Sequence, residues 1–141
     1  MPFGSHSLQI GEEAPLLTLS STSEASALDS LKGKYVLVNF WSATDPESRI
    51  ANRQLSDLTS ALPSSQIEFV SICTDRDPSL QAEIMAADGV ENLHYSLTAT
   101  DLTPSVFDDY QTSTGLRSFL IDPFGNLAAV SPSTSQITSI I

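Results

Sequence analysis

The chain has 141 residues, of which 40% are hydrophobic, and its 17 acidic and 6 basic side chains give a formal net charge of −11. This size and composition predict one globular domain with an ordinary core. The negative charge opposes binding to nucleic acid and to anionic membrane surfaces. A single cysteine, Cys73, excludes an internal disulfide, no apolar run is long enough to predict a membrane span, and Met1 to Ser7 lack a signal-peptide pattern.

The N-terminal third of the chain has two predicted parts before the first strong signal. Residues 1–9 have no periodic pattern and are predicted to be loosely attached, with the domain occupying residues 10–141. Apolar residues at 16–19 and 25–28, separated by a Ser/Thr-rich segment, predict a β-hairpin.

The strongest signal is the apolar run from Tyr35 to Trp41, which is polar only at Asn39. Such a run is typical of a strand buried on both faces and therefore of the centre of a sheet. A helix is predicted to follow directly, with Asp45 as its cap and Pro46 in its first position, and to end near Ala61. The predicted buried stripe of this helix comprises Ile50, Ala51, Leu55, Leu58 and Leu62.

The rest of the chain continues as an α/β pattern. Ile67 to Cys73 is rich in β-branched residues and predicts a second buried strand, parallel to the first and joined to it by a right-handed crossover. Proline, glycine and capping residues delimit the later elements. These are a helix from Pro78 to Asp88, a short strand as one reading of Leu93–Leu97, a helix from Pro104 to Tyr110, an antiparallel hairpin from Leu116 to Val130 and a short helix after Ser133.

The segment from Phe40 to Arg49 resembles the active-site region of thioredoxin-fold thiol oxidoreductases, where a strand and Trp-Ala-x-x-Cys-x-x-Cys lead into a helix. The form is similar to that of the TlpA/ResA and AhpC/TSA-like branch. Three further segments, Ile10–Leu19, Leu28–Lys34 and Phe119–Leu127, resemble motifs of the same branch and occur in its order. The resemblance implies a thioredoxin-like fold, with a central mixed sheet flanked by helices and the N-terminal hairpin as an extension.

The same resemblance indicates a degenerate active site. Asp45 stands at the position of the nucleophilic cysteine, Ser48 at that of the resolving cysteine, and Leu116 at that of the cis-proline. Neither a carboxylate nor a hydroxyl forms a mixed disulfide. The resemblance therefore predicts a domain that has lost thiol-disulfide catalysis and binds a protein or peptide at the former active-site face. The residues assigned to that face are Trp41, Asp45, Glu47, Leu116 and Arg117.

Two alternatives remain open from the sequence. Cys73 alone would carry a thiol-disulfide oxidoreductase or peroxidase-like activity if its thiol were exposed among basic groups, although a buried structural cysteine is favoured. Asp45 and Glu47 allow a hydrolytic or metal role, but acids at a helix start are also favoured by capping and by the helix dipole. Neither His6 nor His94 lies at ligand spacing from them, so no metal and no cofactor is predicted.

The resemblance also bears on location. Relatives with the Gly-x-x-Ala-Pro opening, found here at Gly11 to Pro15, are commonly exported to the bacterial envelope and are often tethered by an upstream segment. A periplasmic or cell-envelope location is therefore what the resemblance implies. The chain itself shows no such segment before its predicted domain.

Overall fold

A computed structural model describes residues 9–14, 33–63, 65–75, 77–90, 95–98, 110 and 116–141. Within these residues the chain forms five strands and three helices. The strands are β1 (Tyr35–Trp41), β2 (Ile67–Cys73), β3 (Tyr95–Thr98), β4 (Ser118–Ile121) and β5 (Leu127–Val130), and the helices are α1 (Pro46–Ser60), α2 (Pro78–Ala87) and α3 (Thr134–Ile140).

The strands form one mixed sheet in the order β3-β2-β1-β4-β5, so that β1 is central. β1, β2 and β3 run parallel, whereas β4 and β5 are antiparallel to their neighbours. The register pairs Tyr35 with Ile67 and Trp41 with Cys73. The carboxyl ends of β1 and β2 therefore lie side by side at one edge of the sheet. The predicted central strand, the parallel second strand and the antiparallel hairpin are confirmed.

Both faces of β1 are buried, as its nearly continuous apolar sequence predicts. Val36, Val38 and Phe40 point to one face, where Phe40 packs with Tyr110 and Phe119 at ring-centroid distances of 5.4 and 6.1 Å. Leu37 points to the other face, which all three helices contact through the residues that follow. These are Leu55 of α1, Leu80, Ile84 and Met85 of α2, and Ile137 of α3.

The boundaries of the described helices agree with the sequence to within one residue, and the predicted buried stripe of α1 is correct except at Ile50, since Leu58 and Leu62 also pack against the core. Ile50 is 58% exposed, Ala51 is half-buried, and Leu55 is buried as expected. The buried positions of α1 include Ser48, Asn52 and Ser56, which are polar. The face of α1 that meets the sheet therefore combines the apolar stripe with an adjoining polar strip.

A hydrogen-bond network in the core explains this polar strip. The Asn52 Oδ1 atom accepts from Asn39 Nδ2 at 3.0 Å and from Ser71 Oγ at 2.8 Å. The Trp41 Nε1 group in turn donates to Ser71 Oγ at 2.8 Å. Because buried polar groups are stable only when hydrogen-bonded, Asn39 on β1 and Ser71 on β2 require a polar partner from the helix above them.

An ion pair links the two helices that follow the parallel strands. Arg49 of α1 donates to both carboxylate oxygens of Asp88, at 3.0 and 2.6 Å, just beyond the last residue of α2. Each partner favours the charged form of the other, so the pKa of Asp88 is lowered and that of Arg49 raised. The guanidinium thereby offsets a carboxylate at the negative end of the α2 dipole.

The C-terminal part of the chain follows the sequence prediction closely. Asp122 Oδ1 accepts from the N–H groups of Phe124 and Asn126, which stabilises the turn between β4 and β5. α3 begins at a capping box formed by Ser133 and Gln136. The predicted N-terminal hairpin at 16–28 and the predicted helix before Tyr110 lie outside the described residues. No helix in the described part has the length and hydrophobicity needed to cross a bilayer.

The core network gives a stability prediction. Replacing Asn52 with alanine removes the acceptor for two buried donors, so we expect the free energy of unfolding to fall by about 2–3 kcal/mol. Urea unfolding followed by circular dichroism measures it. Gln54→Ala at an exposed position of α1 is the control and should stay within about 0.5 kcal/mol of the wild type. Equal stability of the two variants would contradict a role for the network.

Candidate site at the carboxyl ends of β1 and β2

The carboxyl ends of β1 and β2 bring most of the predicted site residues to one edge of the sheet. The loop of residues 42–45 leaves β1 there and enters α1 directly. Residues 116 and 117 arrive at the same edge before β4, where the Arg117 carbonyl accepts from the Phe40 N–H at 3.0 Å. Leu116 is half-buried against the cluster that contains Phe40. No peptide bond in the described residues is cis.

The start of α1 differs from the prediction in one respect. Asp45 occupies the cap position, and its carbonyl accepts from the Arg49 N–H at 3.1 Å, but its side chain makes no capping hydrogen bond. Ser48 instead connects the loop to the helix: its hydroxyl accepts from the Ser42 N–H at 3.0 Å and donates to the Asp45 carbonyl at 2.9 Å. The Ser48 hydroxyl lies inside the turn, so a side chain from the first turn of α1 holds the loop in its conformation.

Asp75, two residues beyond β2, is the site residue that sequence reasoning missed. Its Oδ2 atom accepts from the Ala43 N–H at 2.7 Å and from the Ser42 hydroxyl at 3.3 Å. The same oxygen lies 3.4 Å from the Cys73 sulfur. The available signal was its place just after a buried parallel strand, since the ends of parallel strands meet at one edge of a sheet.

Cys73 lies beneath this loop and is fully buried. It packs with Trp41 and Ala43 and with three half-buried side chains of α2. The pKa of its thiol is raised from the ordinary 9.0 to about 11: burial raises it most, the Asp75 carboxylate also raises it, and the N–H groups of Asp75 and Ala43 act in the opposite direction. The favoured reading of Cys73 as a structural residue fits this position. The exposure among basic groups that a single-cysteine enzyme requires is not met.

The predicted binding residues separate into a buried and an accessible group. Trp41 is 1% exposed and its indole N–H is used in the core, so the prediction that it contributes to a binding face is wrong. Glu47 is exposed, and Asp45 and Arg117 are half-buried. Together with exposed Thr44 they form what we term the carboxyl-edge face: Thr44, Asp45, Glu47 and Arg117.

Asp45 and Glu47, which were considered for a hydrolytic or metal role, belong to no cluster of metal-ligating side chains within the described residues. Across the part of the chain that the structure describes, no three His, Cys, Asp or Glu side chains are grouped so that they could hold a metal ion. The carboxylate that is most engaged at the edge, Asp75, serves backbone and hydroxyl donors of the loop.

Comparisons with known proteins agree with this geometry. A model of the AhpC/TSA family matches residues 10–130. A solved thioredoxin-like protein from Parabacteroides distasonis is 28% identical, with a TM-score of 0.70 over 77% of this chain and 79% of that one. The thioredoxin domain of a thiol-disulfide oxidoreductase from Bacteroides vulgatus is 23% identical, with a TM-score of 0.72 over 95% and 96% of the two chains.

A thiol:disulfide interchange protein from Bacteroides sp. is 21% identical, with a TM-score of 0.70 over 94% of this chain and 88% of that one. A search of curated proteins gives no match. The predicted thioredoxin-like fold is confirmed by these structural likenesses.

The raised pKa of Cys73 predicts a loss of stability at high pH. Below pH 9.0 the thiol is protonated in the folded and unfolded states, whereas between 9.0 and about 11 only the unfolded chain releases the proton. We therefore expect the free energy of unfolding to fall across this range by about 2–3 kcal/mol more in the wild type than in Cys73→Ala. Urea titrations at several pH values measure the difference, and parallel pH profiles of the two proteins would contradict it.

Proposed function

Because this chain belongs to the AhpC/TSA family and has a thioredoxin-like fold, we propose that it is a member that has lost thiol-disulfide exchange. We propose further that it binds an extended segment of a polypeptide at the carboxyl-edge face. The observation that carries the first part is the absence of any thiol at the start of α1, combined with the burial of Cys73.

The chemistry at the helix start supports the loss of exchange. Exchange requires a thiolate that attacks a disulfide sulfur, and a helix N-terminus assists by lowering the pKa of a cysteine placed there. Here that place holds the carboxylate of Asp45, and Ser48 uses its hydroxyl to close the loop. Cys73 lies behind the loop with a raised pKa, which leaves it protonated at neutral pH.

The conformation of the loop supports a binding role. Residues 42–45 are held by hydrogen bonds from two directions, Ser48 on the helix side and Asp75 on the strand side. A loop fixed in this way loses little conformational freedom when a partner binds, which favours affinity. An extended polypeptide is the partner class that the resemblance to thiol-disulfide oxidoreductases implies, since the position of Leu116 is where active relatives hold an extended substrate segment.

The charge of the face bears on which polypeptide it favours. The face contains the two acids Asp45 and Glu47 and one base, Arg117, and the whole chain carries a net charge of −11. Long-range attraction therefore favours segments that contain lysine or arginine over acidic ones.

A restored thiol pair tests the loss of exchange. With the wild type present, we expect dithiothreitol to reduce insulin at the uncatalysed rate. We expect Asp45→Cys/Ser48→Cys to accelerate the reduction, because its thiol pair occupies the start of α1. Turbidity of the released B chain measures the rate. Asp45→Cys alone is the control, since it has no neighbouring thiol with which to close a disulfide. Acceleration by the wild type would contradict the proposed loss.

Binding is tested with a polypeptide that has no free thiol. Insulin B chain capped with iodoacetamide should shift the amide NMR signals of residues 42–47 and 116–118 and leave those of β5 unchanged. Glu47→Lys should weaken binding about two- to fivefold if the segment bound is basic at that point. The control is Asp57→Lys, which makes the same charge change at an exposed position near the other end of α1. Absence of shifts at the face, or equal effects of both variants, would contradict the proposal.

A further inference from the structure

We infer that Asp75 is the positioning residue for the loop of residues 42–45, and that its carboxylate keeps this loop closed over Cys73. The role of Asp75 in holding the loop is inferred only from its hydrogen bonds to Ser42 and Ala43. Its consequence for ligand binding rests on the proposed function, because the loop supplies Thr44 and Asp45 to the carboxyl-edge face.

The hydrogen bonds of the loop single out Asp75. Within the described residues, every other hydrogen bond made by residues 42–45 joins them to residues 42–49, which belong to the loop itself and the first turn of α1. Only Asp75 connects the loop to the end of β2, through the Ala43 N–H at 2.7 Å and the Ser42 hydroxyl at 3.3 Å. A carboxylate that accepts from a backbone N–H forms a stronger bond than a neutral acceptor.

The same carboxylate is placed to control access to the thiol. Ala43, whose N–H it holds, is 7% exposed and packs directly on Cys73. The Asp75 Oδ2 atom also lies 3.4 Å from the Cys73 sulfur. When the two hydrogen bonds to the loop break, only apolar packing holds Ala43 on Cys73, so the loop opens more readily and uncovers the sulfur. The reactivity of Cys73 therefore reports the closed state of the loop.

Two substitutions at position 75 separate the hydrogen bond from the charge. Asp75→Ala removes both, whereas Asp75→Asn removes the charge and keeps an amide oxygen that accepts from the Ala43 N–H. Both variants lose the effect of the carboxylate on the pKa of Cys73, so a difference between them reports the loop contact. Asp77→Ala is the matched control, because the Asp77 side chain caps α2 through the N–H groups of Ser79 and Leu80 and makes no hydrogen bond to the loop.

The measurement is the rate at which Cys73 reacts with Ellman's reagent in buffer without denaturant, together with the free energy of unfolding of each variant. We expect Asp75→Ala to react about tenfold or more faster than Asp75→Asn, since it loses a hydrogen bond to a charged acceptor that the amide partly replaces. Hydrogen exchange of the Ala43 amide should accelerate in the same order. Asp77→Ala should change the rate only as far as its global stability changes.

Two outcomes would overturn the inference: equal rates in Asp75→Ala and Asp75→Asn, or an equal acceleration in Asp77→Ala at the same loss of stability. The capped insulin B chain then separates this inference from the proposed function. If Asp75→Asn retains the shifts of residues 42–47 and Asp75→Ala loses them, Asp75 positions the binding face. If the wild type shows no shifts, the proposed function fails, while the thiol kinetics still decide whether Asp75 holds the loop.

Discussion

The arrangement of this domain depends on the hydrogen bonds that the carboxamide of Asn52 accepts in the core. Its oxygen accepts from Asn39 on β1 and Ser71 on β2, so one helix residue joins the two central parallel strands inside the core. Any rotation of α1 that exchanged Asn52 for an apolar residue would leave two buried donors unpaired, at a cost of a few kcal/mol, roughly. This requirement fixes the orientation of α1, and with it the place where α1 begins.

The position of that helix start determines which side chains lie at the candidate site. α1 begins at the end of β1, directly after a loop that Ser48 and Asp75 hold from opposite sides. A cysteine at position 45 would have stood at the positive end of the helix dipole, where a thiolate is stabilised. The chain instead places a carboxylate there and keeps its one thiol under the loop, protonated and packed against Trp41.

The fold is shared with a thioredoxin-like protein, a thiol-disulfide oxidoreductase domain and a thiol:disulfide interchange protein at sequence identities of only 21–28%. Such divergence is tolerated because the sheet needs apolar residues on both faces of its central strands, and many residue combinations satisfy that need. Thiol chemistry is less tolerant, since it requires particular atoms at the helix start. The framework is present here with Asp45 and Ser48 at the helix start, which is why family membership alone does not assign an activity to this chain.

The sequence by itself determined the described elements other than β3, the central place of β1 and the absence of cysteine from positions 45 and 48, because apolar runs, capping residues and motif order are local properties. Only the tertiary structure decided that a polar strip of α1 is buried, that Trp41 is enclosed, and that Asp75 holds the loop. Those features depend on which side chains from separate strands must satisfy one another's hydrogen bonds, and contacts between residues 19 to 32 positions apart leave no periodic trace in the sequence.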